Sequence, residues 1–222
     1  MTILEAIEAR NSVRHYTDKP LSNEQIEALN KAIEVCNKEG HLYIQLLTEE
    51  PEAFKGFFAH YGKLSGVKNY FALVGPDDDA LDEALGYYGE KLVLQAQMMG
   101  LNTCWVAATF SKRKCKAKVP QGMKMRGVIS LGFGKTQGVK RKSKPIDALC
   151  RVDSEPMPEW FKTGMEAAMR APTAVHQQKF LITLESGKVK AKALKGPYSK
   201  IDLGIVKYHF EEGAGRENFS WA

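Results

Sequence analysis

The sequence predicts an α+β fold, a mixed and mostly antiparallel sheet of about five strands flanked by helices, with one helix buried at its centre. Three observations lead there. Five apolar runs have the length of strands, at residues 41–48, 69–74, 104–110, 125–131 and 178–185. Two segments open with a capping box, Thr2 with Glu5 and Ser22 with Gln25, the signature of a helix start. Residues 80–99 carry an apolar stripe, Leu85, Tyr88, Leu92 and Met99 with Leu81, Ala84, Val93 and Ala96 beside it, too wide for a helix with one wet face.

In chain order, a helix runs from Thr2 to about Arg10, and a second covers 23–38, with Ile26, Leu29 and Ile33 at helical spacing and Gly40 as its stop. A strand follows over 41–48, with Leu42, Ile44 and Leu46 on one face. Phe54, Phe57, Phe58 and Tyr61 read as the apolar face of a helix within 51–66. Asn69–Val74 is a buried strand broken by Gly75-Pro76, and Asp77-Asp78-Asp79 complements the start of the 80–99 helix. Gly86 and Gly89 cost that helix roughly 1 kcal/mol each against Ala; they suit the close approach of another helix or of a flat ligand, and equally plain packing. After the Gly100-Leu101-Asn102-Thr103 turn come an extended run over 104–110, a short basic helix from Ser111, a buried strand over 125–131, and a loop from Gly132 to Pro145. Residues 147–158, with two prolines, read as a linker. A helix over 159–170, a strand over 178–185 and a helix over 201–212 stopped by Gly213 complete the chain, and the tail with Phe219 and Trp221 needs something to pack on.

The 222 residues, 44% of them hydrophobic, suffice for one large domain or two small ones with a real core. Residues 28–47 and 163–184 echo each other as a helix, a small loop and an Ile/Leu-rich strand, which suggests a duplicated half. The expected division is a core over 1–150 and a second, reduced half over 151–222. No apolar run is long enough for a membrane helix, and the acidic Met1-Thr2-Ile3-Leu4-Glu5 start has no signal core, so a cytoplasmic location is expected. Cys36, Cys104, Cys115 and Cys150 form no Cys-x-x-Cys pair and no His cluster has ligand spacing, so neither a disulfide framework nor a metal site is expected. The net charge of +6 is unevenly placed: residues 111–144 hold twelve Lys or Arg and no acid. Such a stripe attracts phosphates, in nucleic acid or in small ligands, although without interleaved aromatics it suits single-stranded nucleic acid poorly. A lysine-rich solvated surface is the ordinary alternative.

The segment with the most chemical content is Arg10-Asn11-Ser12-Val13-Arg14. If it is extended, Arg10, Ser12 and Arg14 share one face. Two permanent cations and a hydroxyl on one side suit a phosphate monoester; taken alone, they equally describe a solvated basic turn. The lone Gly132-Phe133-Gly134 is not a dinucleotide fingerprint, because it lacks the third glycine and no helix follows.

Together these segments resemble the FMN-dependent nitroreductase superfamily, in particular its duplicated, single-chain-like branch. Arg10 to Arg14 is similar to that family's Arg-x-Ser-x-Arg signature. Gly100-Leu101-Asn102-Thr103-Cys104-Trp105 after the long helix is similar to its Gly-Leu-Gly-x-x-Trp turn. Ala171-Pro172-Thr173-Ala174-Val175-His176-Gln177-Gln178 resembles its Ala-Pro-Ser-x-x-Asn-x-Gln loop, with His176 in place of Asn and Lys179-Phe180 in place of Pro-Trp. Val128 to Gly134 followed by Arg141, Lys142, Lys144 and Pro145 resembles its strand and basic loop.

The resemblance implies a nitroreductase-like fold and FMN as cofactor. Its contacts would be Arg10, Asn11, Ser12, Arg14, Asn102, Thr103, Cys104, Arg141, His176 and Gln178. It implies electron transfer from NADH or NADPH to a nitroaromatic, quinone or similar flat acceptor, with the flavin carrying the electrons. No catalytic side chain is named, since solvent can supply protons. The proline loop comes after the central helix here, where ordinary members have it before, so one chain could complete its own pocket and either a monomer or a homodimer is expected. Two other readings stand beside this one: a flavin-binding carrier or sensor without turnover, suggested by the altered loop, and a nucleic-acid-binding module using 111–144.

Overall fold

The computed structural model describes residues 1–55, 62–153 and 156–222, and the chain divides into two units. One comprises Ala9–Leu81 and Lys91–Lys140, the other Met1–Glu8, Asp82–Glu90 and Arg141–Ala222. The described residues form two sheets, of four and three strands, rather than one of about five. Among them no helix is long and apolar enough to cross a membrane.

The first unit is built on an antiparallel sheet of order β1-β2-β4-β3: β1 Gln45–Leu47, β2 Asn69–Pro76, β3 Asn102–Val106 and β4 Met123–Gly132. β2 is buried along nearly its whole length, as its unbroken apolar run requires of a strand covered on both faces. Gly75-Pro76 does not break it. The strand bulges between Leu73 and Val74 and carries Pro76 at its last position, where no ladder donor is needed. Helix α2, Asn23–Gly40, starts at the Ser22–Gln25 capping box, and its left-handed cap is His41 rather than Gly40. Asn37 explains why β1 is shorter than the expected 41–48 strand. Its side-chain amide donates to the Ile44 carbonyl and accepts the Ile44 N–H, so Ile44 has no ladder partner to seek.

Ser111 opens a turn, not the expected basic helix. Cys115 and Ala117 pack on the core beneath, and the Lys118 backbone exchanges two hydrogen bonds with the Gln45 amide. Phe54 lies in a short 3₁₀ turn, Glu52–Phe54, packed edge-on against Tyr70. Phe57, Phe58 and Tyr61, expected on the same helical face, lie outside the described residues.

The second unit has a smaller sheet of order β5-β6-β7: β5 Cys150–Val152 parallel to β6 Phe180–Glu185, and β7 Lys188–Ala193 antiparallel to it. β5 lies within the stretch expected to be a linker. β6 and β7 are joined by Ser186-Gly187, both at positive φ, the geometry of a two-residue hairpin. Helix α1, Ile3–Ala9, begins the chain and passes from this unit into the other. Helix α3, Leu81–Met98, likewise contributes to both, and is the buried helix expected over 80–99.

In the second unit the first half of α3 meets helix α5, Ser199–Ala214, which also packs on α4, Glu159–Ala168. A Cβ on Gly86 would collide with the Ile201 carbonyl, and one on Gly204 with the Glu83 carbonyl, so these two glycines let α3 and α5 touch backbone to backbone. His209 and Glu90, both fully buried, pair at 2.9 Å across the same contact. The tail closes the unit: Phe219 stacks on Trp160, Trp221 bridges to Val189 of β7, and the Trp221 indole donates to Glu211.

Candidate functional site

The segment after α1 is held in place by its own backbone. The Asn11 amide donates to the Ala9 carbonyl at the helix end. Ser12 then forms a parallel bridge with Thr103, and the Val13 N–H donates to the Thr103 carbonyl at 3.0 Å. Ser65 donates its N–H to the Arg14 carbonyl and accepts the Tyr16 N–H. His15 and Thr17 join the loop after β4 through Lys135 N–H to the His15 carbonyl and Thr17 N–H to the Phe133 carbonyl, each 2.8 Å. Val13 (0% exposed) points into the core, which leaves its neighbours Ser12 and Arg14 half-buried. Arg10 is 9% exposed.

Two side chains brace this arrangement from below. The Tyr16 hydroxyl donates to the Val13 carbonyl at 2.7 Å and lies 2.8 Å from the Ser130 hydroxyl. Burial pushes the Tyr16 phenol well above its ordinary range, so it remains a neutral donor and adds no negative charge beside the arginines. Asn102 ties β3 to the following loop: its carbonyl oxygen accepts the Gly134 N–H at 2.9 Å and its amide donates to Gln137 at 3.0 Å. Thr103 and Cys104 are buried beside it on β3.

The loop from Gly132 to Lys140 runs close against the arginine segment. A Cβ on Gly138, whose φ is +74°, would meet the Asn11 Cβ at 2.7 Å, and one on Gly134 would meet the Asn102 carbonyl oxygen at 2.8 Å. Glycine is needed at both positions for that approach. The structure therefore gathers Arg10, Asn11, Ser12, Arg14, Asn102, Thr103 and Cys104 in one unit, with exposed Lys135 and Lys140 supplied by the neighbouring loop. Guanidinium, hydroxyl, amide and ammonium donors of this kind suit a phosphate-bearing ligand.

The remaining expected residues belong to the other unit. Arg141 is exposed and is the first residue of that unit's last segment. Gln178 is buried, and its amide accepts the Lys144 N–H at 2.8 Å and donates to the Met169 carbonyl at 3.2 Å. The His176 ring donates from Nε2 to the Lys142 carbonyl at 3.0 Å. Sequence reasoning passed over the roles of Tyr16, Gln137 and Asp202, and named Lys144 only as part of the basic loop. Asp202 had a visible signal, an acid inside the apolar run Ile201–Val206.

Against known families, the chain matches the family described as "Putative TM nitroreductase" over residues 2–214. It belongs to that family. No curated protein matches the chain. Among solved structures, a putative nitroreductase of Thermotoga maritima superposes with a TM-score of 0.65 at 21% identity, over 98% of this chain and 85% of that one. A putative nitroreductase of Desulfovibrio desulfuricans, solved in complex with FMN, gives 0.54 at 18% identity, over 71% of this chain and 99% of its own. An FMN-dependent nitroreductase of Clostridium difficile gives 0.50 at 15%, over 66% of this chain and 94% of its own. At these identities the likeness is one of fold, and the fold is that of the nitroreductases.

Proposed function

We propose that the protein is an FMN-dependent oxidoreductase that passes electrons from NADH or NADPH to a nitroaromatic, quinone or similar flat acceptor. The observation that supports this reading is that the backbone of the Arg10–Arg14 segment runs beside β3, through the Ser12–Thr103 bridge, and close to Gly134 and Gly138, in a chain of the nitroreductase family. The donor set fits the phosphate end of FMN. Arg10 and Arg14 would neutralise the phosphate, the Ser12 hydroxyl would donate to it, and Asn11, Asn102, Thr103 and Cys104 would line the path of the rest of the molecule.

When bound, the flavin supplies the electron-transfer chemistry. The protein residues bind and orient it. The Arg10–Arg14 segment is fixed by main-chain bonds of Val13 and Arg14, so its backbone position does not depend on a bound ligand. His176, Gln178 and Arg141 remain part of the proposal through the resemblance. For Gln178, whose amide is bonded within its own unit, the proposed contribution is to shape the Thr173–Gln178 loop.

The test is an absorbance spectrum of the purified protein, then NADH and NADPH oxidation with a quinone or a nitroaromatic. A yellow protein that oxidises either donor faster than free FMN is the expected result. A protein that stays colourless after incubation with FMN overturns the reading. A yellow protein with no rate above free FMN leaves a flavin carrier or sensor in its place.

A further inference from the structure

Three of the four residues from Val175 to Gln178 are non-glycine residues at positive φ: Val175 at +46°, His176 at +57° and Gln178 at +46°. Val175 is β-branched, the side-chain type least tolerant of that region, and it is 85% exposed. A run of this kind persists only when surrounding contacts over-determine it. The contacts are side chains on two sides of the loop. From α5, Asp202 (3% exposed) accepts the Ala174 N–H on one carboxylate oxygen at 2.9 Å and the Gln177 amide on the other at 2.7 Å. The same Gln177 nitrogen also donates to the Pro197 carbonyl. From the opposite side, the Lys144 ammonium donates to the Gln177 carbonyl at 2.7 Å and the Gln178 carbonyl at 3.1 Å. The Thr173 hydroxyl accepts the Gln178 N–H.

We propose that Asp202 is the positioning residue of the Thr173–Gln178 loop, holding it in its left-handed shape through Ala174 and Gln177. The inference stands apart from the function proposed above. Asp202 is costly where it stands. Its chain neighbours Ile201, Leu203 and Ile205 are buried and apolar, and burial pushes its carboxyl up to about 6. The groups that favour its ionised form are the Gln177 amide and the Ala174 N–H, with no cation among them. Among the described residues the Asp202 carboxylate accepts hydrogen bonds from Ala174 and Gln177, both in that strained loop, and this is what a carboxylate so deeply buried does.

The experiment measures amide hydrogen exchange at residues 174–178 in the full chain and in three variants. In Asp202→Ala, exchange across 174–178 is expected to rise at least tenfold while β6 is unchanged. Asp202→Asn keeps one acceptor oxygen at the same place and is expected to retain most of the protection that Asp202→Ala loses. Gln177→Ala removes one of the two carboxylate contacts without altering α5. It is expected to accelerate exchange in the same stretch, and it decides the matter if Asp202→Ala does not fold. Unchanged loop exchange in Asp202→Ala or Gln177→Ala overturns the proposal, as does an Asp202→Asn chain that exchanges as fast as Asp202→Ala.

Discussion

Two short segments leave regular structure here, and they are held by different means. The Arg10–Thr17 segment is pinned by main chain to main chain: Val13 to Thr103, Arg14 and Tyr16 to Ser65, His15 to Lys135, Thr17 to Phe133. None of its residues is at positive φ. The Thr173–Gln178 loop is pinned largely by side chains, from Asp202, Lys144, Gln177, Gln178 and Thr173, and carries three strained residues. Main-chain pinning survives a change of side chain, whereas side-chain pinning fails with one substitution. In the first segment replacing the arginines should therefore cost ligand more than backbone structure, and in the loop a substitution should cost shape first.

The largest expected effect breaks the first half of that contrast. Replacing Arg10 and Arg14 together by Ala removes two charged donors proposed to hold the FMN phosphate. At about 1.5–3 kcal/mol for each charge-assisted contact, affinity should fall roughly a thousandfold, by about 4 kcal/mol, while β-sheet exchange protection stays. Loss of flavin on gel filtration, with an unchanged far-UV spectrum, checks it. Undiminished flavin binding would remove the basis of the functional proposal.

The second effect is a pH dependence from the loop side. The Asp202 carboxyl stands at about 6 in the folded chain against an ordinary 3.8, with burial as the main cause. The folded state therefore holds this proton where the unfolded state has released it. The stability Asp202 contributes is complete below pH 3.8 and is lost as pH rises through about 6. A shift of that size corresponds to about 3 kcal/mol. In Asp202→Asn this slope should vanish, so the difference between the wild-type and variant denaturation curves should grow between pH 4 and pH 7 and be flat above. A difference that does not change with pH would mean that the carboxyl titrates in its ordinary range.

The contrast also explains what was legible in the sequence. The alternation of Ser12, Val13 and Arg14 could be read because it survives as backbone: Val13 faces the core, and its neighbours do not. The capping box at Ser22 and the buried stripe of α3 were legible for the same reason, since local pattern determines them. Asn37 satisfying Ile44, Asn102 satisfying Gly134 and Asp202 satisfying Ala174 were not, because each joins a side chain to a backbone group that sequence spacing does not mark as its partner. β5 was hidden because a strand of three residues leaves no period to read, and it forms by pairing with β6. Sequence reasoning missed β7, although its Lys-Val-Lys-Ala-Lys-Ala alternation after Ser186-Gly187 is the signal that marks it.

A third prediction tests how close the glycine loop must come to the arginine segment. Gly138 is at φ +74°, and a Cβ there would meet Asn11 at 2.7 Å. Gly138→Ala should cost about 1–2 kcal/mol of stability and weaken FMN binding, because the loop must move away from Asn11. Gly187→Ala is the control: its φ is +72° but nothing lies within 4 Å of the added carbon. It should show the stability loss without the binding loss. Equal effects on binding would mean that backbone strain matters at Gly138 and proximity to Asn11 does not.

The smallest effect asks whether the first segment has any side-chain dependence at all. Tyr16 is a buried side chain of the segment that braces it, through the Val13 carbonyl and the Ser130 hydroxyl. Tyr16→Phe keeps the ring in the core and deletes both contacts, which should cost about 1–2 kcal/mol. Because Val13 keeps its main-chain bond to Thr103, the arginines should stay where they are and FMN affinity should change by less than about threefold, less than 1 kcal/mol. A larger loss of binding at that modest cost in stability would show that the Tyr16 hydroxyl, and not the main-chain bonds alone, sets the geometry of Ser12 and Arg14.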